Sequence, residues 1–488
     1  MDDFAIVSLT LVIVAVVGYA IFAVIMALRV KNVSIDDFIT ARRSQGKWTI
    51  ALAMFSSQMG ASTTLGPAQY ASFAGIIGVV FYALAMAIPI LMIGYLGDVV
   101  LNKYTKVDSL NDFVHKRFGG VAKVFTTLIV LLNISIALIA EYTSIGAIFS
   151  SVVGVSPIIP ILIVGIVTMG YTAIGGLKIS LITDRYQAIL ALTLLSVVVV
   201  YAMAAFRPDL SQPLPENLGP NQSGYSSIFA LPISILSATL YSEAVWQRVW
   251  ASETRHVLRF GSSVGALLIF IVMFIYGFLG WLALWGSGIT PETDPNTYFF
   301  YVFGENQRSW IAVITIVIAA IMNESAIDSM QNAIAACIST NIKDKSINYA
   351  RLVVVIINIP LIVVGLQNYQ ILQLFLISNL ITTCCLMPLL LGLYLHHFNQ
   401  YHFLLACLSG FIGVSVLGIA MTGTFAEGME LAWVTNNYDY SYFLIATFLP
   451  MIVILLLNVL SKKMNWGNQL QKQQSNAESY DSKAELLE

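Results

Sequence analysis

The chain has 488 residues and a mean hydropathy of +0.81; 58% of its residues are hydrophobic and only 10% are charged. A soluble domain carries about 25% charged residues, so this composition excludes a soluble enzyme and predicts an all-α polytopic membrane protein. The net charge of -2 is small, but the charges are unevenly distributed. When the chain is threaded through its apolar segments, all but two of its 24 Lys and Arg residues, Arg207 and Arg308, fall on one side. This asymmetry is typical of a membrane topology and gives no support to nucleic-acid binding.

Thirteen apolar segments are each close to the ~20 residues that cross a lipid bilayer. In chain order, spans 1–13 are predicted at residues 4–28, 49–71, 75–100, 121–152, 157–174, 183–206, 226–248, 261–286, 309–334, 350–366, 370–395, 402–424 and 442–461. The basic loops predict an outside N-terminus and a cytoplasmic C-terminus. We also expect the protein to lie in the plasma membrane. We therefore expect one transmembrane transporter domain over residues 1–461 and a disordered polar tail over 462–488.

Two spans have interruptions that favour broken helices. Span 2 carries small and polar residues from Ser56 to Thr64 with Gly66 and Pro67 beyond them, and span 7 carries Pro232 and several hydroxyl residues. Broken helices free backbone carbonyls and helix ends to bind ions and solutes at mid-membrane. Because the interruptions lie five spans apart, they predict a 5+5 inverted-repeat core with repeats at about 49–206 and 226–395. The alternative is that these small residues only allow close helix packing.

Few carboxylates lie within the spans, and such residues are functional candidates because burying a charge in lipid is costly. Glu324, Ser325, Asp328 and Asn332 form one polar stripe on span 9, which is typical of cation or proton handling. The alternative for this stripe is a hydrogen-bonded seam with protonated acids. Glu243 on span 7 is predicted to pair locally with Arg248, whereas Glu141 on span 4 has no assigned neighbour.

Other motifs predict neither catalysis nor a cofactor. The five histidines show no metal or triad pattern, and the four cysteines lie in apolar segments without metal-ligand spacing. Asn221 begins an Asn-Gln-Ser sequon in a predicted outer loop and is a possible glycosylation site.

The connection between spans 5 and 6 carries the most specific motif. It reads Tyr171-Thr172-Ala-Ile-Gly175-Gly176-Leu177, then Thr183-Asp184-Arg-Tyr-Gln187, and span 7 ends in Gln247-Arg248-Val-Trp-Ala251. These stretches resemble the signature of the sodium:solute symporter family, and the segments 74–84 and 322–332 are similar to its fungal urea-permease-like branch. The resemblance implies a ten-helix inverted-repeat fold with alternating access.

The resemblance also implies a cation site between spans 2 and 9. Backbone carbonyls of Ser56, Met59 and Met322 and the hydroxyl of Ser325 match the family's ligands, while Ala326 stands where a second hydroxyl is usual. Asp328 is a further cation candidate, and Asp184 matches the acid on the inner exit path. The coupling ion is expected to be Na+ or H+.

The solute is expected between the two breaks. The candidate residues are Gln58, Ser62, Thr63, Ser237, Tyr241 and Ser242. We therefore expect a cation-coupled symporter in the lipid bilayer for a small polar solute. Urea is suggested by the resemblance and a polyamine by the acidic surplus. A non-transporting nutrient sensor and a passive solute channel are the alternatives, and catalysis is not expected.

Overall fold

A computed structural model describes residues 2–29, 35–103, 107, 109–287, 289, 293–304, 307–339, 346–367, 369–395, 398–435 and 439–463. Of the predicted tail, residues 464–488 lie outside the described residues. Eleven continuous helices in the described part are long and apolar enough to cross a membrane. Two of them, Ser62–Lys103 and Ile158–Ala205, bend sharply at a glycine and supply two crossings each, which confirms the predicted all-helical architecture.

Helices 1–13 follow the predicted spans. Their bounds are Asp3–Arg29; Lys47–Ser56 (helix 2a) with 62–74 (2b); 76–103; Gly120–Ile148; 158–175; 177–205; Gln222–Leu240 (7a) with Glu243–Ala251 (7b); Arg255–Gly286; Trp310–Ser339; Ile347–Gly365; Ile371–Gly392; Gln400–Thr422; and Tyr440–Lys463. Short helical segments connect them at Ile35–Ile39, Leu110–Phe118, Phe149–Val153, Glu216–Leu218, Pro295–Phe303, Phe425–Glu430 and Leu431–Thr435.

Two glycines turn the chain between consecutive helices. Gly75 has φ 60° and ψ −159°, and Gly176 has φ 61° and ψ −167°, a region that is essentially open only to glycine. Residues 175–182, which the predicted spans 5 and 6 left between them, are helical except at Gly176, where the two helices meet. The second glycine of the Gly-Gly-Leu motif thus has a conformational role.

Substituting Gly176 with alanine should destabilise the fold by about 1–3 kcal/mol from backbone strain alone. A Cβ there would also lie 2.5 Å from Cδ2 and 2.8 Å from the carbonyl oxygen of Phe38. The measurement is the midpoint of thermal unfolding in detergent. Gly170→Ala is the control, since a Cβ at that helical position has nothing within 4 Å. Equal midpoints for the two variants would contradict the prediction.

The chain forms two compact units, Met1–Leu110 with Val130–Asn379 and Asn111–Ile129 with Leu380–Glu488. In the first unit, helix 9 is central, and nearly all of its residues from Ile311 to Ser339 are buried. In the second unit, the Arg117 guanidinium donates to the carbonyls of Gly392, Leu395 and Phe398. It thereby satisfies carbonyls at the C-terminal end of helix 11.

Asn221 lies at the start of helix 7a. Its side-chain oxygen accepts from the Gly224 amide at 2.8 Å, as an N-cap does. Its amide nitrogen donates to the carbonyls of Phe73 at 3.1 Å and Asn217 at 2.7 Å. A glycan on this nitrogen would replace one of its two hydrogens and so break one of these bonds, and the structure gives Asn221 a capping role.

Candidate transport site

Helix 2 is broken as predicted: helix 2a ends at Ser56 and helix 2b begins at Ser62. The Glu141 carboxylate of helix 4 lies at the start of helix 2b. Its Oε2 accepts from the Ala61 amide at 2.8 Å, and its Oε1 accepts from the Ser62 hydroxyl at 2.6 Å. A carboxylate is favourable there, because amides at a helix N-terminus lack partners and carry a partial positive charge.

Glu141 is also joined to helix 9. Asn323 donates from Nδ2 to Glu141 Oε2 at 2.9 Å and to the Glu141 carbonyl at 3.0 Å. Gly60 permits this approach, since a Cβ at that position would lie 2.0 Å from Glu141 Oε2. The acid that had no assigned neighbour in the sequence therefore connects the break of helix 2 with the polar stripe of helix 9.

Helix 7 is broken at Tyr241 and Ser242. The Asn133 amide of helix 4 donates to the carbonyls of Ala238 at 3.1 Å and Tyr241 at 3.3 Å, which supports the freed backbone. The predicted pair between Glu243 and Arg248 is wrong. Glu243 Oε2 instead accepts from the Leu110 amide at 2.9 Å, because the side chain at the first turn of helix 7b points away from the last turn.

A cavity lies between the two breaks. Of the predicted solute residues, Gln58, Ser62 and Ser242 line it. Glu141, predicted only as an intramembrane acid, also lines it, and sequence reasoning missed the other polar lining residues, which are Ser57, Tyr82, Asn133, Thr239, Ser378 and Asn379. The apolar part of the wall includes Met86, Leu231, Met273, Leu372 and Phe375. Among the described residues that line the cavity, Glu141 is the only charged one.

The other three predicted solute residues do not line this cavity. Thr63 lines a separate small cavity, and its hydroxyl accepts from the Gly60 amide at 3.2 Å. Ser237 donates to the carbonyls of Ser234 at 2.6 Å and Asn379 at 3.2 Å. Tyr241 is fully buried. The rotation of each half-helix about its axis decides which hydroxyls face the cavity.

The predicted cation ligands are only partly brought together. Met59 and Met322 line the same small cavity, together with Thr64 and Tyr276. The Ser56 carbonyl accepts from the Met59 amide at 3.2 Å, and Ser56 is buried. Ser325, in contrast, donates to Asp184 Oδ1 at 2.6 Å. The acid predicted on the exit path is therefore bonded directly to a predicted cation ligand.

Asp184 forms a fully buried ion pair with Arg248. Arg248 Nη2 donates to Asp184 Oδ2 at 2.7 Å and to the Ser329 hydroxyl at 2.5 Å, and both charged side chains have 0% exposure. On helix 9, Asp328 directly precedes Ser329, and its Oδ1 accepts from the Thr172 hydroxyl at 2.5 Å and from Asn332 at 3.0 Å. The Tyr-Thr, Thr-Asp and Gln-Arg motifs thus meet on helix 9, although they lie far apart in sequence.

The region around helix 9 is rich in buried acid. Asp184, Glu324 and Asp328 are fully buried, and Arg248, the one buried Lys or Arg in the described part of the chain, pairs with Asp184. No group of three or more His, Cys, Asp or Glu side chains among the described residues could hold a metal ion by itself. Hydroxyl, amide and carbonyl oxygens would therefore have to complete any cation site, as hard cations accept.

Known transporters are similar to this chain in sequence and in fold. Residues 38–217 match the model of the sodium:solute symporter family. The spermidine transporter DUR31 of Candida albicans is 27% identical over 414 residues, which are 83% of this chain and 79% of that protein. The probable urea active transporter 1 of Schizosaccharomyces pombe is 26% identical over 180 residues, 37% of this chain and 26% of that protein.

Two solved structures share the fold at low sequence identity. The substrate-bound outward-open state of a Na+-coupled sialic acid symporter has a TM-score of 0.71, with 16% identity over 94% of this chain and 98% of its own. Mhp1, a nucleobase-cation-symport-1 family transporter in a closed conformation, has a TM-score of 0.54, with 14% identity over 89% of this chain and 95% of its own. The predicted fold and family resemblance are confirmed, and the matched proteins are transporters rather than enzymes.

Proposed function

Since the chain is a relative of the sodium:solute symporters, we propose that it is a cation-coupled symporter that carries small organic cations of the polyamine type into the cell. Solute binds in the cavity between the breaks of helices 2 and 7, and the coupling cation binds between helices 2a and 9. Access then alternates between the two faces of the membrane. The protein lies in the plasma membrane with its N-terminus outside and its C-terminus in the cytoplasm.

The observation that carries the proposal is the Glu141 carboxylate in the wall of the large cavity. No Lys, Arg or His is among the described lining residues, so an anionic solute would find no opposite charge there. An ammonium group would compensate Glu141, and the methylenes of an alkyl polyamine would lie against Met86, Met273 and Phe375. The spermidine transporter among the relatives agrees with a solute of this class.

Urea is the competing solute. Three carboxamides, Gln58, Asn133 and Asn379, line the cavity and have the hydrogen-bonding groups that a neutral amide requires. A neutral solute, however, would bring no positive charge to the Glu141 carboxylate, whereas an ammonium group would form a charge-assisted hydrogen bond with it. The charge therefore favours the polyamine.

Na+ is the coupling ion in this proposal. The buried acids of helix 9 favour a cation in their vicinity, and the family that matches the chain is named for sodium. Each charge that moves inward along the membrane potential supplies about 2.3 kcal/mol per 100 mV, which is enough for an accumulation of several tens-fold.

The test is uptake of radiolabelled spermidine and urea into proteoliposomes, with Na+ and H+ gradients imposed separately. We expect spermidine to accumulate above equilibrium when Na+ is driven inward, and to stop accumulating when an ionophore dissipates the gradient. Urea uptake without spermidine uptake would overturn the solute assignment. Uptake that is independent of both gradients would indicate a passive solute channel. Absence of uptake of either solute would favour the non-transporting nutrient sensor.

Ser325→Ala and Asp328→Asn should each lower Na+-driven uptake by about tenfold or more without loss of surface expression. Each change removes an oxygen ligand or a buried charge from the helix 9 region. Ser339→Ala on the same helix is the control, since the Ser339 hydroxyl has no hydrogen-bond partner among the described residues. Unchanged uptake in both test variants would remove this region from the proposed cation site.

A further inference from the structure

Two arginines at the start of helix 8 share one carboxylate of helix 3. Arg255 Nε lies 3.3 Å from Asp98 Oδ1, and Arg259 donates from Nη2 to Asp98 Oδ2. The Asp98 side chain is only 5% exposed, whereas those of Arg255 and Arg259 are 62% and 53% exposed. A buried acid therefore holds two guanidinium groups at the surface of the molecule. We call these three residues, together with the neighbouring Tyr95, the arginine patch.

The charges of the arginine patch do not balance. Arg255 and Arg259 lie four residues apart on one helix, a spacing at which like charges repel each other. Asp98 supplies one negative charge, and it is the only acid that pairs with either arginine among the described residues. Each guanidinium contacts Asp98 through one nitrogen, so further N–H donors of both exposed side chains remain for another acceptor. The patch thus has an excess positive charge and fixed donors, which suit an anion with several oxygen atoms.

Exposed apolar side chains continue from the arginine patch along both helices. They follow one face of each helix, at helical spacing. These residues are Ile88, Leu91, Tyr95 and Val99 on helix 3, and Leu267 and Ile271, eight and twelve residues after Arg259, on helix 8. The Arg259 guanidinium lies over the Tyr95 ring, 5.4 Å from its centroid, so the two apolar faces meet at the patch. The surface is therefore amphipathic, with cationic donors at one end and apolar side chains along its length.

A second group of aromatic and basic side chains lies at the same end of helix 8. The Phe260 ring contacts the exposed Trp48 ring of helix 2a with 5.3 Å between centroids, and Lys47 Nζ lies 5.3 Å from the Phe260 centroid. Tryptophan and tyrosine are enriched where a membrane meets water, and lysine and arginine on its cytoplasmic side. The proposed topology therefore puts the arginine patch at the level of the cytoplasmic phospholipid headgroups.

We propose that the arginine patch binds the headgroup of one anionic phospholipid of the cytoplasmic leaflet, whose acyl chains lie along the exposed apolar residues of helices 3 and 8. The phosphate bridges the two guanidinium groups, because arginine binds phosphate through parallel N–H···O bonds, and the anionic headgroup compensates the excess charge. A soluble phosphate would use the arginines but not the apolar residues, so the amphipathic surface favours the lipid. The inference rests on the proposed orientation in the membrane, but on neither the solute nor the coupling cation.

The test is native mass spectrometry of the delipidated full-length protein in detergent, titrated with phosphatidylserine or with phosphatidylcholine of the same acyl chains. The unmodified chain should bind one phosphatidylserine about tenfold more tightly than phosphatidylcholine, whose choline brings a positive charge to the patch. Arg255→Gln combined with Arg259→Gln should abolish this preference. Arg207→Gln is the control, since Arg207 is exposed and bonds only nearby backbone carbonyls among the described residues, and it should bind lipid as the unmodified chain does.

A lysine variant separates a specific site from general surface charge. Arg255→Lys combined with Arg259→Lys keeps both positive charges but removes the planar guanidinium groups that bind phosphate through two bonds. We expect this variant to bind phosphatidylserine about fivefold more weakly than the unmodified chain. Unchanged affinity would indicate only the general attraction of a basic surface to anionic lipid, and it would overturn the proposal.

Three further outcomes would also contradict the proposed lipid site. The first is equal affinity of the unmodified chain for the two lipids, and the second is an unchanged preference in the double glutamine variant. The third is displacement of phosphatidylserine by an equal concentration of inorganic phosphate, which would indicate a site for soluble phosphate. These titrations contain neither solute nor an ion gradient. Failure of the proposed transport function, measured as absence of uptake into proteoliposomes, is therefore distinguishable from failure of this inference.

Discussion

Spermidine uptake by Glu141→Gln should be about 100-fold or more below that of the unmodified chain, the fold-change that corresponds to ~3 kcal/mol for an unpaired buried charge. The substitution removes the only charge among the described cavity-lining residues. It also brings an amide NH2 group to a position surrounded by donors, namely the Ala61 amide, the Ser62 hydroxyl and Asn323. The loss of the charge weakens binding of a cationic solute. The NH2 group removes the acceptor that holds the break of helix 2.

The measurement is initial-rate uptake over a range of spermidine concentrations, with surface expression determined in parallel. Ser144→Ala is the matched control on helix 4, because the Ser144 hydroxyl bonds only the Ala140 carbonyl of its own helix. Glu141→Asp keeps the charge but withdraws it by one methylene, so it should retain part of the uptake. Full activity of Glu141→Gln would eliminate the carboxylate as the solute's partner.

Arg248→Met should lower the free energy of unfolding by about 3–5 kcal/mol, because it leaves Asp184 buried with its counter-charge removed. Arg248→Met combined with Asp184→Asn should recover part of this loss, since the second change removes the unpaired charge. The measurement is thermal unfolding in detergent. Arg255→Met is the control: Arg255 also pairs with an aspartate, Asp98, but its side chain is 62% exposed, so the cost should stay below about 1 kcal/mol.

Equal losses for Arg248→Met and Arg255→Met would contradict this prediction. The same would follow if Arg248→Met and the double variant were equally unstable, since removal of the Asp184 charge would then recover none of the lost stability. In either case the buried pair would not be what stabilises helices 6, 7b and 9 against one another.

The membrane spans and both helix breaks could be predicted because each leaves a local pattern. Apolar runs of about 20 residues mark the crossings, and the small polar run from Ser56 to Thr64 marks the break of helix 2. A hydropathy pattern, however, indicates which residues lie within the lipid and does not show where a helix begins or ends. For this reason helix 6, predicted from residue 183, in fact begins directly after Gly176 and includes Lys178, which pairs with Asp37 at 3.7 Å.

Which side chains meet could not be predicted, because it depends on helix rotation and on contacts distant in sequence. Arg248 and Glu243 lie five residues apart, yet Arg248 binds Asp184 and Glu243 binds the Leu110 amide. Asn133 did give a signal, as a lone amide in an apolar helix, but its target at the break of helix 7 lies more than 100 residues away. The family resemblance identified the motifs, but it did not indicate which residues on other helices they contact.

Glu141 stands between the solute cavity, through Ser62, and helix 9, through Asn323. If one carboxylate takes part in both places, the occupancy of one place alters the free energy of binding at the other. Thermodynamic linkage then makes the effect reciprocal: the factor by which the coupling cation raises the affinity for the solute equals the factor by which the solute raises the affinity for the cation. The energetic coupling of this symporter is therefore a single quantity, measurable from either ligand.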